Sequence, residues 1–227
     1  MVINKNSLFS SESIFWRQLD IVKMGVLKNT TIIIIGVGSI GSFTALSLAK
    51  MGVGKLILYD DDTVDGHNLP NQFFKVNDMG KLKVQAVAEN VLEMMNTNIL
   101  LNGNKFKEQK LEGLVISAVD SMKTRKEIWQ RVKFNPNIDL YIDGRMGGQV
   151  FRIYSIRPTD PDGIKIYEEN LYDDEEATQE RCTDKAIIYN VLGVSSLICN
   201  NVKKFINGEN ISKEIMFDYV NIVCQTA

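Results

Sequence analysis

What this sequence has little of narrows it before any motif is read. It carries one histidine, three cysteines and four prolines in 227 residues. His67 alone cannot build a histidine metal centre. Cys182, Cys199 and Cys224 form no C-x-x-C pair, so no zinc site is expected. A sparse, odd cysteine set also argues against a disulfide framework and fits a reducing cytoplasm. Charge of one sign is missing as well. The formal net charge is −2, which gives no electrostatic ground for nucleic acid or an anionic membrane as main partner. Long apolar runs are absent: the most apolar late stretch, residues 186–199, is interrupted by Asn190, Ser195 and Ser196 and falls short of the roughly 18 to 20 residues that cross a bilayer. Residues 1–12 lack the basic start and apolar core of a secretory signal. These absences point to a cytoplasmic protein whose partner is another protein or a small molecule.

What is present fits a globular α/β chain. With 44% hydrophobic and 24% charged residues, one domain over residues 1–227 is expected. Residues 13–27 have helical spacing and lead into a β-branched run, 30–35, that reads as a buried strand. Gly36-Val37-Gly38-Ser39-Ile40-Gly41 breaks the strand. Residues 42–51 continue as a helix that Gly52 and Gly54 stop, and 55–59 form a second strand ending at Asp60. These are the dimensions of a βαβ unit, which sets its two strands parallel. A polar loop over 61–79, with at most short helical turns, precedes a helix from Gly80 that places Val84, Val87, Ala88, Val91 and Met95 on one face. Strands are expected at 114–119 and 140–142 around a helix over 122–134. Residues 150–156 form a strand with no helix before it, hence antiparallel. Residues 157–181, with Pro158, Pro161 and the acidic run 173–176, read as an exposed, mobile crossover. A helix over 184–207, apolar on two sides, and a strand over 215–223 finish the chain. Cys199 and Cys224 fall in apolar periodicity and are expected in the core. The fold class is α/β, a Rossmann-like, mostly parallel sheet flanked by helices, with antiparallel strands toward the C-terminus.

Three glycines at a strand-to-helix turn let backbone N–H groups and the helix N-terminus approach a phosphate. Asp60, about 20 residues further on, is placed to accept hydrogen bonds from ribose hydroxyls. Nucleotide binding follows, but its use stays open. A nicotinamide-dependent oxidoreductase shares this pattern, and so does a turn that only packs helix on strand.

The residues that follow separate these alternatives. Tyr59-Asp60-Asp61-Asp62-Thr63-Val64, Asn68-Leu69-Pro70-Asn71-Gln72 and Gly80-Lys81-Leu82-Lys83 come in order. They resemble the D-x-D-x-V, N-L-x-R-Q and G-x-x-K series of the ThiF/MoeB/HesA family of ubiquitin-activating-enzyme-like adenylyltransferases. The resemblance is to a short form without zinc cysteine pairs. It covers most of the chain and is weakest over 103–113 and after 208. It implies ATP and Mg²⁺ as cofactors and transfer of AMP to a C-terminal carboxylate, that of a small ubiquitin-like (β-grasp) or sulfur-carrier protein or of a peptide. It also implies a homodimer. By the same resemblance Gly36, Gly38 and Gly41 line the phosphates and Asp60 the ribose. Asn68 and Lys83 reach the phosphates, with Asp62, Asn71 and Gln72 beside them. Asp120, in Ser117-Ala118-Val119-Asp120, matches the magnesium aspartate, and Arg17 an arginine that reaches the other subunit's active site.

These residue types suit the chemistry. Attack of a carboxylate on an α-phosphate brings two anions together and expels pyrophosphate, so cations and positioning supply most of the rate gain and no protein nucleophile is required. An aspartate holds the hard Mg²⁺ ion through oxygen. Structural duties compete for the same residues. Lys83 at the start of a helix suits a solvated lysine, Asp120 suits a cap for the helix near Met122, and Arg17 suits a surface position. The sequence also departs from the family. Asn71 stands where the family has arginine, which removes one cation. Either Lys75, Lys81 or another cation replaces it, or the chain is a degenerate member that binds without turnover. A smaller carboxylate substrate, on a nucleoside or metabolite, is a further alternative. Cys182, just before a helix, is a possible thiol acceptor for the activated substrate; an inert thiol is the competing expectation.

Overall fold

The computed structural model describes residues 13–95, 97, 99–172 and 187–227. Eight strands form one sheet in the order β3-β2-β1-β4-β5-β6-β7-β8. The first half of the chain supplies β1 (Thr31–Ile35), α2 (Ser39–Met51), β2 (Lys55–Tyr59), α3 (Lys83–Met95), β3 (Leu100–Asn102), β4 (Gly113–Ser117) and α4 (Met122–Val132). The second supplies β5 (Ile138–Gly147), β6 (Val150–Ile156), α5 (Pro161–Glu169), α6 (Ile188–Asn207), β7 (Glu214–Asp218) and β8 (Val223–Thr226). Strands β1 to β5 run parallel and β5 to β8 antiparallel, and the parallel β1–β2 pair and the antiparallel β6 are as expected from the sequence.

A parallel sheet covered on both faces needs strands that are apolar on both sides, and β1 shows how this is met. Ile32 and Ile34 point into a core with α2, α3 and α6, while Ile33 and Ile35 point into a second core with α4 and α5. Val84, Val87 and Val91 of α3 are buried as their spacing predicts. On α6, Val191, Val194, Ile198 and Val202 are buried, but Ile188 and Leu192 of its second stripe are exposed.

Several expectations need correction. The leading helix is split into a 3₁₀ segment, Ser13–Gln18, and a short α1, Met24–Asn29. The crossover over 157–181 contains a helix, α5, because Asp160 caps it through the Asp162 N–H and Pro161 takes its first turn, where a missing N–H costs nothing. Residues 173–181 of that segment lie outside the described residues. The last strand is a hairpin, β7 and β8, broken at Ile222 with φ 52°. Cys199 is buried, but Cys224 is exposed, because β8 is the edge strand and all four of its residues face solvent.

A candidate nucleotide site at the strand ends

The site is built from the turn after β1 outward. Gly36 turns the chain with φ 88°. A Cβ there would lie 2.7 Å from the Ala118 carbonyl oxygen, and one at Gly41 would lie 1.9 Å from the Gly36 carbonyl oxygen. Those two glycines let the turn close on β4 and on itself. Gly38 instead faces open space, with nothing within 4 Å of a Cβ. The first α-helical bond of α2 runs from the Ser42 N–H to the Gly38 carbonyl, so the earlier amides have no helical acceptor and carry the positive end of the helix dipole.

Asp60, one residue past β2, locks onto this turn. Its Oδ2 accepts the Val37 N–H at 2.6 Å and its Oδ1 the Asp62 N–H at 2.9 Å. Burial raises its pKa, and the two amides and Lys83 pull against that rise. Asp62 then meets Lys83: Nζ lies 2.7 Å from Asp62 Oδ2, and the Lys83 N–H donates to the Asp62 carbonyl. Lys83 is not a solvated surface lysine. Its side chain is 10% exposed against 68% for Asp62, so the ammonium is held at the site by a carboxylate that itself remains wet.

The loop between β2 and α3 folds over the start of α2. Asn68 is buried and takes the Asp65 N–H on its Oδ1, fixing a 3₁₀ turn, and its carbonyl accepts from the amides of Asn71 and Gln72. Phe73 then donates its N–H to Ser42 Oγ at 3.0 Å, pinning this loop to the first turns of α2. Asn71 Oδ1 and Gln72 Oε1 are buried and have no hydrogen-bond partner. Two adjacent buried amide oxygens without partners are costly unless something else supplies those partners. Lys75 and Lys81, the expected replacements for the family arginine, are engaged elsewhere. Lys75 pairs with Glu93, and Lys81 with Asp78 and Glu89.

The far wall is the turn after β4. Ala118 donates its N–H to the Ile35 carbonyl, which brings Asp120 beside the glycine turn. Asp120 is exposed, and the cap of α4 is Ser121, whose Oγ accepts the Thr124 N–H. The capping duty that competed for Asp120 therefore belongs to its neighbour. Asp60, Asp61 and Asp62 bring carboxylate oxygens within 4.8 Å of one another. Asp60 is already engaged by amides and Asp62 by Lys83, so that cluster is read as part of the Lys83 mount.

Among the described residues, one predicted site residue, Arg17, lies away from this turn. Gln18, beside Arg17, donates to the Met51 carbonyl at the far end of α2, and the 13-residue helix separates that end from the glycine turn by roughly 20 Å. Arg17 itself is exposed and lies over Trp16. Cys182 lies outside the described residues. His67 is an exposed loop residue 3.5 Å from Asp65. Sequence reasoning missed Ser42 as the loop's anchor, and it missed Arg125, Asp143 and Arg145, which form a buried ion cluster behind Asp120. The sequence carried a signal for only part of that cluster: Asp143 and Arg145, at i, i+2, share one face of β5, while nothing pointed to Arg125 on α4.

The residues fit a nucleotide on three counts, open space at Gly38, two buried amide oxygens without partners and a nearly buried lysine, and the exposed Asp120 carboxylate offers the oxygen that Mg²⁺ requires. No helix among the described residues is long and apolar enough to cross a membrane.

The chain is similar to ubiquitin-like modifier-activating enzyme 5 of Drosophila virilis, 28% identical over 222 residues that cover 86% of this chain and 55% of the relative. It is 32% identical over 152 residues to the protein of the same name from Bombyx mori, covering 55% of this chain and 39% of that one. It thus spans about half or less of these relatives' length. Among solved structures, E. coli MccB with MccA-N7isoASN superposes with a TM-score of 0.75 at 17% identity, over 97% of this chain and 72% of that one. PaaA superposes with a TM-score of 0.74 at 17% identity, over 99% and 77%. At those identities the solved structures show a shared fold. The ThiF family matches residues 10–223, and with the glycine turn, the Asp60 to Lys83 loop and the mixed sheet all in place, the chain belongs to that family.

Proposed function

We propose that this chain binds ATP with Mg²⁺ at the glycine turn and adenylates the C-terminal carboxylate of a small ubiquitin-like or sulfur-carrier protein or of a peptide, working as a homodimer. The observation that carries this is Lys83, a nearly buried ammonium mounted on Asp62 beside the turn. Relatives support it: the similar curated proteins are ubiquitin-like modifier-activating enzymes, and E. coli MccB has been solved with ATP and with MccA.

The amides at the start of α2 hold the phosphates, with Gly38 allowing close approach. Asp60 orients the ribose through the lone pairs its amide bonds leave free. Asn71 and Gln72 turn their unsatisfied amide groups to the nucleotide, and rotation about the terminal torsion lets each present either N–H or oxygen. Asn68 holds their loop in place. An acceptor carboxylate oxygen forms a bond to the α-phosphorus, the bond to the bridging oxygen breaks, and pyrophosphate departs with that electron pair. Lys83 stabilises the charge that builds on the phosphates, where a positioned cation in a water-poor site acts most strongly. Asp120 holds Mg²⁺, which when bound neutralises phosphate charge. By the family resemblance Arg17 serves the site of a second copy; its place near the far end of α2 from the glycine turn is compatible with that, and the exposed Trp16, Leu19 and Ile21 around it suit burial against such a copy.

A second function is favoured by one observation. With asparagine at 71 and both Lys75 and Lys81 paired away from the site, the leaving phosphates have fewer cations, which suits a subunit that binds nucleotide and partner without turnover. Intact-mass measurement of Gly-ended β-grasp proteins incubated with the chain, ATP and Mg²⁺ separates the two. An AMP adduct on the acceptor tail is expected. Acceptor and ATP binding without any adduct would leave the binding subunit.

A further inference from the structure

The buried charges around Asp143 have no part in the steps above. Asp143 on β5 is fully buried, and its carboxylate accepts three hydrogen bonds. Oδ1 accepts from Arg125 Nε at 2.9 Å, and Oδ2 from Arg145 Nε at 2.7 Å and from the Tyr167 hydroxyl at 3.0 Å. Burial alone would raise this carboxyl's pKa; the two guanidiniums outweigh that and hold it below the usual carboxylate range. Buried ion clusters contribute little net stability, because desolvation offsets their attraction. Their value lies in fixing a geometry.

The geometry in question lies at the other end of Arg125, where Nη2 donates to the Val119 carbonyl oxygen at 2.6 Å. That oxygen belongs to the peptide joining Val119 to Asp120. A peptide is planar, so holding its oxygen fixes the direction in which the chain enters Asp120. Other contacts hold the turn only before and after this point. Ala118 is held by Ile35, and Ser121 caps α4. Among the described residues no side chain partners the Asp120 carboxylate, so its aim depends on the backbone, and Arg125 is the side chain that orients that backbone.

We propose that Asp143, acting through Arg125, is a positioning residue that aims Asp120 at the metal ion. This rests on the Mg²⁺ role of Asp120 proposed above. Tyr167 and Arg145 grip the opposite oxygen of Asp143 and tie in α5 and the Asn170 carbonyl, so they complete the cluster without touching the Asp120 turn.

The test is calorimetric ATP binding by the full chain across a Mg²⁺ titration. Arg125→Lys keeps the positive charge but loses the fork that spans Asp143 and Val119. Asp143→Asn, of nearly equal size, releases Arg125 from the other side and serves as the second variant should the first not fold. Both are expected to raise the Mg²⁺ concentration at half-effect roughly 10- to 100-fold, as loss of a group that orients a metal ligand does, while ATP affinity without metal is unchanged. Tyr167→Phe, which disturbs the same cluster, is expected to leave the Mg²⁺ dependence as in the wild type. An equal shift in Tyr167→Phe, or no shift in the other two, would overturn the positioning role and leave the cluster purely structural. Wild-type ATP binding with no Mg²⁺ dependence would remove the role of Asp120 itself, and the proposal with it.

Discussion

The two walls of the site are built differently. On the β1–β2 side, backbone amides and half-exposed groups do the holding: Asp60 takes the Val37 and Asp62 amides, and Asp62, 68% exposed, carries Lys83. On the β4–β5 side, one fully buried carboxylate, Asp143, grips two arginines behind an exposed Asp120. The contrast separates function from stability. On the first wall the exposed carboxylate of Asp62 is worth little to folding, and it holds the nearly buried Lys83 where a ligand can meet it. The buried cluster on the second wall is expensive to break and meets no ligand itself.

The sharpest way to break this comparison is at the two residues proposed to meet the phosphates and metal. Lys83→Met and Asp120→Ala are each expected to lower the adenylation rate roughly 10²- to 10³-fold with little change in the urea midpoint. A large stability loss in either would erase the distinction between walls. Next, Asp143→Ala should cost about 3–5 kcal/mol in urea unfolding, because it leaves two guanidiniums buried without their counter-charge. A loss below about 1 kcal/mol, the range of surface pairs, would place that cluster among them.

A smaller effect separates two glycines of one turn. Gly41→Ala puts a Cβ into the Gly36 carbonyl and should cost about 1–3 kcal/mol as overpacking. Gly38→Ala has open space and should change stability by no more than about 0.5 kcal/mol while weakening ATP binding. The smallest expected effect is in acid. The folded Asp143 carboxyl titrates below its ordinary value, so its contribution is present above the unfolded value, about 3.9, and is lost as pH falls through the folded value. Urea midpoints of wild type and Asp143→Asn should therefore converge below about pH 4; a gap that stays constant to pH 2 would contradict the assigned shift.

The first wall was legible in the sequence because it is local. The glycines, Asp60 and the loop to Lys83 lie in one contiguous stretch, residues 36–83, and their order alone pointed to them as a candidate site. Burial was less legible: Lys83 at a helix start suggested solvent, and only the loop folding back through Phe73 and Ser42 encloses the region. Helix α5 was missed because Pro158 and Pro161 read as breakers, although Asp160-Pro161-Asp162 also spells a cap followed by a first-turn proline. Strand β3 escaped because it is three residues long and two of them are exposed. The second wall was illegible for a different reason. Arg125 and Asp143 sit on separate elements, and no periodicity reports which charges will meet in a core.

The most direct test of the account is ATP–pyrophosphate exchange by the purified chain with Mg²⁺ and a panel of β-grasp proteins and Gly-ended peptides, with Asp120→Ala alongside. Exchange that depends on one acceptor and disappears in the variant is the predicted result. ATP and acceptor binding with no exchange in the wild type would contradict adenylation and leave a site that binds without turning over.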